Sequence, residues 1–260
     1  MRFIDDFRNA EHVKALAGSI ERRAAQAGRP LRFMEVCGGH TMAIHRFGLP
    51  QLLPESVELL SGPGCPVCVT PTTYIDRAIE LGRDGALLTT FGDLYRVPGS
   101  KRSLEGASAA GLLEALVVYS PRDALRAAQD SHDREVVFLA IGFETTAPTV
   151  AATLLEAKRL GLRNFRVLSG HKTMPRALRA LLEAPEVAID GFILPGHVCT
   201  ITGARPFTFI PDEFGVPCCV TGFEPADILA SIEKLTELCG PGRRPALENA
   251  YRRAVRPDGN

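Results

Sequence analysis

Eight short apolar runs, separated by longer amphipathic stretches, recur along nearly the whole chain, and this alternation leaves few architectures open. Runs of four to six apolar residues suit buried strands. The amphipathic stretches between them supply the long crossovers that parallel strands require. The runs lie at 31–36, 57–60, 86–91, 115–119, 136–141, 165–168, 191–194 and 216–220. Several helix starts are marked by proline just after a capping residue: Thr70 with Pro71, Ser120 with Pro121, and Thr146 with Pro148. Proline suits the first helical turn because its missing N–H has no partner there. A first helix is expected over 11–27, closed by Gly28 and Pro30. The expected fold class is α/β: two parallel-sheet βα lobes facing a central cleft lined by strand-end loops.

At 260 residues the chain is long enough for one large or two medium α/β domains. A polar stretch at 131–134 marks the expected boundary. Residues 1–132 would form the first lobe and 133–222 the second, with 223–260 returning to pack on the first.

The residues just past each run carry the chemistry. Cys37-Gly38-Gly39-His40, Ser61-Gly62-Pro63-Gly64-Cys65, Phe91-Gly92-Asp93, Gly142-Phe143-Glu144-Thr145, Gly170-His171, Pro195-Gly196-His197 and Thr221-Gly222-Phe223-Glu224 all fall there. In open parallel sheets, ligands bind beyond the carboxyl ends of the strands. One such loop needs no more explanation than a tight glycine turn. Seven of them gather thiol, imidazole and carboxylate at one sheet edge.

Lysine plus arginine balances aspartate plus glutamate at thirty each, so no broad field draws the chain to nucleic acid or anionic lipid. The opening Met1-Arg2-Phe3-Ile4-Asp5 is acidic where a signal peptide would be apolar, and no apolar run reaches membrane-spanning length, so a cytoplasmic location is expected. Gly62-Pro63-Gly64 lacks the Lys-Ser/Thr pair of a phosphate loop. The seven cysteines are an odd number in a chain that needs no staples, which favours reactive or metal-binding thiols over a disulfide framework.

Cys65-Pro66-Val67-Cys68 has the spacing of a redox dithiol or of half a metal site. Adjacent Cys218 and Cys219 are a poor second half for zinc, which leaves the redox dithiol as the preferred reading. Cys37, at a turn leading into a helix, should be exposed and activated by the helix N-terminus and by a nearby imidazolium, the alternative being an ordinary buried cysteine. His40, His171 and His197 are candidate ligands or acid/base groups, and equally hydrogen-bonded loop residues. Asp93 and Glu144 either orient a reacting group or cap helices. Cys199, Cys218, Cys219 and Cys239 read as structural.

Six ordered blocks now carry a resemblance. Cys37-Gly38-Gly39-His40-Thr41, Gly62-Pro63-Gly64-Cys65-Pro66-Val67-Cys68, Thr90-Phe91-Gly92-Asp93 with Arg96-Val97-Pro98-Gly99, Gly142-Phe143-Glu144-Thr145-Thr146, Pro195-Gly196-His197-Val198 and Gly222-Phe223-Glu224-Pro225 resemble the signature of the HypD family of hydrogenase maturation proteins. The resemblance implies a scaffold that, with a HypC-like chaperone, holds iron as the Fe(CN)2CO intermediate of the nickel–iron centre. A HypE-like protein would deliver the cyanide. It further implies that Cys37 is the iron ligand with His40 beside it, that Cys65 and Cys68 are the redox dithiol, and that Asp93, Glu144 and His197 line the cleft. A soft thiolate suits low-spin iron.

Two departures stand out. Met42 replaces a histidine that family members commonly carry, and the chain ends at Asn260 where the family continues into a cysteine-rich region binding a four-iron four-sulfur cluster. Those cluster ligands are absent from the sequence, so an internal electron donor to the dithiol is not expected. Two other readings stand beside the scaffold. One is a cysteine-dependent thiol-disulfide or nucleophilic enzyme acting on a small molecule, and the other is a binding module without turnover.

Overall fold

The computed structural model describes residues 6–259, so the acidic opening Met1–Asp5 and the terminal Asn260 lie outside the described residues. The helices and strands alternate as the periodicity requires. The first third of the chain gives α1 Ala10–Ala27, β1 Leu31–Glu35, α2 Gly38–Arg46, β2 Val57–Ser61, α3 Thr72–Arg83 and β3 Leu87–Thr90. There follow α4 Gly92–Tyr95, α5 Leu104–Ala109, β4 Glu114–Val117, α6 Pro121–Asp130, β5 Val136–Ala140, α7 Ala147–Arg159 and β6 Phe165–Ser169. The remainder holds α8 Met174–Leu182, β7 Gly191–Pro195, α9 Gly196–Thr202, α10 Phe209–Phe214, β8 Cys218–Thr221, α11 Pro225–Leu238 and β9 Leu247–Asn249.

All eight expected strands form, and every pairing between named strands is parallel. The α/β class with two parallel sheets is therefore what the sequence encodes. A ninth strand, β9, was not anticipated. The helix starts follow local chemistry. Asn9 caps α1 by accepting from the amides of Glu11 and His12, and Gly28, at φ 68°, ends it in the left-handed region. Ser120 and Asp123 form a capping box on α6, with Pro121 in the first turn.

The chain divides into two compact units: residues 1–65 with 174–260, and residues 66–173. The first contains a five-stranded sheet in the order β2-β1-β7-β8-β9. Its core gathers Ile20, Leu31, Phe33, Leu49, Ile193, Ile228, Leu229, Ile232 and Leu235, with α1 packed along α11. The second contains a four-stranded sheet in the order β4-β3-β5-β6, its core including Phe138, Leu88, Leu104 and Leu139.

This division differs from the boundary expected at 132/133. That polar stretch lies inside the second unit, because β3 pairs with β5 across it. It is also pinned: the Asn164 side-chain amide donates to the carbonyls of Ala128, Ser131 and Arg134 at 2.8, 2.7 and 3.2 Å. Polarity there reflects satisfied backbone groups in a tight crossover rather than a linker. Among the described residues, no helix is long and apolar enough to cross a membrane.

Candidate functional site

Each sheet has one place where the chain's crossovers diverge to opposite sides, and ligands favour that place in open parallel sheets. In the first unit it lies between β1 and β7. Cys37 follows β1 by two residues, and His197 stands in the first turn of α9, directly after β7. In the second unit it lies between β3 and β5; Asp93 sits in the first turn of α4, just after β3, and Glu144 in the loop that follows β5.

The first unit brings three of the expected residues together. Cys37 is the N-cap of α2, half-buried, with its sulfur 3.5 Å from where a Cβ on Gly39 would stand. That same Cβ would meet the Phe223 ring at 3.0 Å, so glycine at 39 lets ring and sulfur share the space. His40 is fully buried, and its Nε2 donates to the Gly222 carbonyl at 3.0 Å. Its imidazole stacks on Phe223 with ring centroids 4.6 Å apart, and His197 stacks on the same ring at 4.1 Å. Tyr251 meets Phe223 edge-on at 6.4 Å. Cys65 stands one residue beyond Gly64, where a Cβ would fall 2.6–2.8 Å from the Cys37 backbone. The Gly62-Pro63-Gly64 loop thus lies directly against Cys37.

The electrostatics depart from the sequence expectation. Burial pushes the Cys37 thiol above its ordinary 9.0, the amides of Gly39 and His40 pull it partly back, and the Glu35 charge adds to the rise. Burial also lowers His40 to about 4, so the neighbouring ring is a neutral imidazole and not the imidazolium expected to activate the thiol. His197 is lowered by desolvation as well. In this state Cys37 is a thiol at neutral pH, and an incoming soft cation would have to displace its proton.

His40 carries a measurable consequence. An unfolded chain takes up a proton on this ring as pH falls through 6.5, whereas the folded one refuses it until about 4. The unfolded state therefore binds more protons over that window, and stability present above 6.5 erodes as pH drops toward 4. The loss from this residue approaches about 3 kcal/mol at most. His40→Gln keeps a donor for the Gly222 carbonyl and cannot titrate, so its urea stability should fall less between about pH 7 and pH 4.5 than that of the wild type. Equal slopes would show that His40 is not the buried neutral group.

The other expected residues sit apart from this cluster. Cys68 is exposed in the turn between β2 and α3, where Thr70 Oγ1 donates to the Pro66 carbonyl at 2.8 Å. The Cys-x-x-Cys segment precedes α3 and does not open its first turn. Cys37, His40, Cys65 and His197 belong to the first unit; Cys68, Asp93 and Glu144 belong to the second. Asp93 is exposed and its Oδ1 accepts from the Leu94 amide at 2.8 Å. Glu144 is half-buried ahead of α7. His171 Nδ1 lies 3.2 Å from Ser169 Oγ, and the ring's Cδ2 is 3.3 Å from where a Gly142 Cβ would stand. Met42, at the position of the family's second histidine, is 72% exposed. Cys199, Cys218 and Cys219 are fully buried, in keeping with their structural reading.

Sequence reasoning missed Phe223, Tyr251 and Glu35. Phe223 was visible inside its block, but only the fold shows that two imidazoles stack on it. Glu35 had a detectable signal: it is the one charged residue at an inward position of β1, in register with Leu31 and Phe33. Among the described residues, no three His, Cys, Asp or Glu side chains converge to hold a metal ion.

Fold and loop cluster together define a parallel α/β protein that presents a half-buried thiol where its first sheet's crossovers diverge, in a loop cluster with two imidazoles stacked on Phe223. A family model named HypD and described as the hydrogenase formation hypA family matches residues 11–260. The hydrogenase maturation factor HypD of Rhodobacter capsulatus is 46% identical over 265 residues, covering 100% of this chain and 70% of that protein. The HypD of Escherichia coli K12 matches at the same identity and coverage. The hydrogenase expression/formation protein HupD of Azotobacter chroococcum is 45% identical over 266 residues, again across 100% of this chain and 70% of the relative. This chain belongs to the HypD family, and its role lies in hydrogenase maturation.

Proposed function

We propose that the chain is an assembly scaffold that holds iron on Cys37 while cyanide and carbon monoxide are installed, in company with a HypC-like chaperone and a HypE-like cyanide donor. The observation that carries this reading is the placement of Cys37: a half-buried thiol at the divergence point of the first sheet, its loop packed against Gly64 and Phe223. A single sulfur is a soft ligand suited to low-spin iron, but it is only one ligand. The remaining positions then fall to the diatomic ligands and to a donor from the chaperone, which is what an assembly intermediate needs if it is to be passed on. Neutral His40 and the Phe223 ring add no charge on their side of the Cys37 loop, which favours carbonyl and cyanide ligands over water.

Cys65 and Cys68 serve in this reading as a thiol pair that opens and closes by two-electron exchange with an external thiol, the two-residue spacing being compatible with a disulfide. The iron is cargo, so turnover of a small substrate is not required.

The test is an infrared spectrum of protein purified without oxygen together with its HypC-like partner. Bands from metal-bound cyanide and carbonyl, with iron at about one per chain, would uphold the scaffold. Turnover of a small molecule by iron-free protein would favour the nucleophilic enzyme instead. In the same preparation, mild oxidation should protect Cys65 and Cys68 together from alkylation. If both remain alkylatable, the redox role is lost.

A further inference from the structure

The buried carboxylate of Glu35 is a costly feature that the fold does not require. Its neighbours on the inward face of β1, Leu31 and Phe33, are fully buried apolar residues, and Glu35 itself is only 2% exposed. A carboxylate removed from water needs a cation or a full set of donors to offset desolvation. Among the described residues no ion pair reaches Glu35. Its two side-chain partners come from Cys37 and from the helix that Cys37 opens: Oε2 accepts from the Cys37 amide at 2.9 Å, and Oε1 accepts from the Thr41 hydroxyl at 2.5 Å.

Those two donors bracket the sulfur. The Cys37 amide precedes it, and Thr41 lies one turn onward in α2, its own amide donating to the Cys37 carbonyl at 3.2 Å. Cys37 as N-cap makes no side-chain cap bond, so Glu35 is the acidic group that ties down the start of α2. The backbone of Glu35 is held in turn, its carbonyl accepting from the Gly62 amide at 2.7 Å.

We propose that Glu35 and Thr41 are positioning residues which fix the location of the Cys37 sulfur, Glu35 clamping the loop from the strand and Thr41 closing the clamp from the helix. For iron assembly this deepens the reading given above and rests on Cys37 as the ligand. The clamp itself can be measured without metal.

The experiment compares wild type with Glu35→Gln, Thr41→Val and Thr41→Ser, all metal-free and reduced. Iodoacetamide is the probe, and each cysteine's rate is read from its own peptide. Unclamping should expose a sulfur that is now half-buried. In Thr41→Val the Cys37 rate should rise about fivefold relative to Cys65 and Cys68 in the same sample, the effect of losing one such hydrogen bond; in Glu35→Gln it should rise at least as much, because losing the Glu35 charge also favours the thiolate. Thr41→Ser restores the hydroxyl and should behave as wild type. The double variant should exceed neither single one, because both break the same clamp.

The proposal is overturned if the Cys37 rate does not change, if all cysteines rise together as in general loosening, or if Thr41→Ser behaves like Thr41→Val. Repeating the infrared measurement on the same variants separates the two ideas. If wild type carries no Cys37-dependent iron, the assembly reading falls, while the alkylation series still decides the clamp.

Discussion

Cys37→Ala is expected to abolish iron carriage while the protein remains folded. The side chain is half-buried, makes no cap bond and sits in a loop past a strand end, so its removal should cost less than about 1 kcal/mol of stability. Loss of the Cys37 sulfur at the divergence point of the first sheet is a different matter for the proposed iron. Outer-shell partners alone change metal affinity by about 10–100-fold, and removing a ligand should exceed that. Protein co-purified with its HypC-like partner should then show neither iron nor the cyanide and carbonyl bands, with an unchanged circular dichroism spectrum. If the variant unfolds, Cys37 is a structural residue. If it keeps its iron, the ligand lies elsewhere.

Arg253→Ala should give the largest loss of stability of any single change near the site. Asp227 is 2% exposed, and its two oxygens take a bidentate pair from Arg253 at 2.7 and 2.5 Å. The same carboxylate completes the capping box of α11, and its Oδ2 would stand 2.3 Å from a Cβ on Gly222. The guanidinium lies over the rings of Phe7 and Tyr251. Stripping the cation leaves a buried charge. The usual 3–5 kcal/mol for such a loss comes down to about 2–3 kcal/mol here, because water reaches part of the arginine. Arg253→Lys should not rescue it, since a point charge cannot span both oxygens. Adding Asp227→Asn to Arg253→Ala should recover part of the loss by removing the stranded charge. Urea unfolding of the set would decide it, and a loss below about 0.5 kcal/mol would show the pair to be incidental.

The strands and the glycine-bearing loops that leave them were legible because both follow from local rules. An apolar run of strand length followed by glycine and a polar residue signals a strand and its exit, wherever the strand sits in the sheet. The order of the strands was not legible. β1 pairs with β7, more than 150 residues away, and no local pattern encodes that partner. The boundary at 131–134 was misplaced for the same reason: the side chain that pins it, Asn164, lies some thirty residues on. β9 went unseen because Leu247–Asn249 is three residues long and shows no alternation.

That Cys37, His40 and His197 share one loop cluster follows from their positions just past strand ends. The charge state of His40 does not, because it depends on complete burial under an aromatic ring contributed by the loop after β8. A sequence shows that a thiol and an imidazole are neighbours. It does not show how much water reaches them.

The contact between Gly64 and the Cys37 backbone means that two loops share one thickness. With no room for even a methyl group between them, the segment leading into Cys65 cannot shift toward Cys37 without pushing it. Any chemistry that shortens or twists the stretch beginning at Cys65 would therefore be felt at Cys37 as displacement, through contact alone and with no need for charge or electrons to pass. The Cys37 loop and the segment that begins at Cys65 are in this sense mechanically geared, and glycine at 64 sets how little slack the gear has.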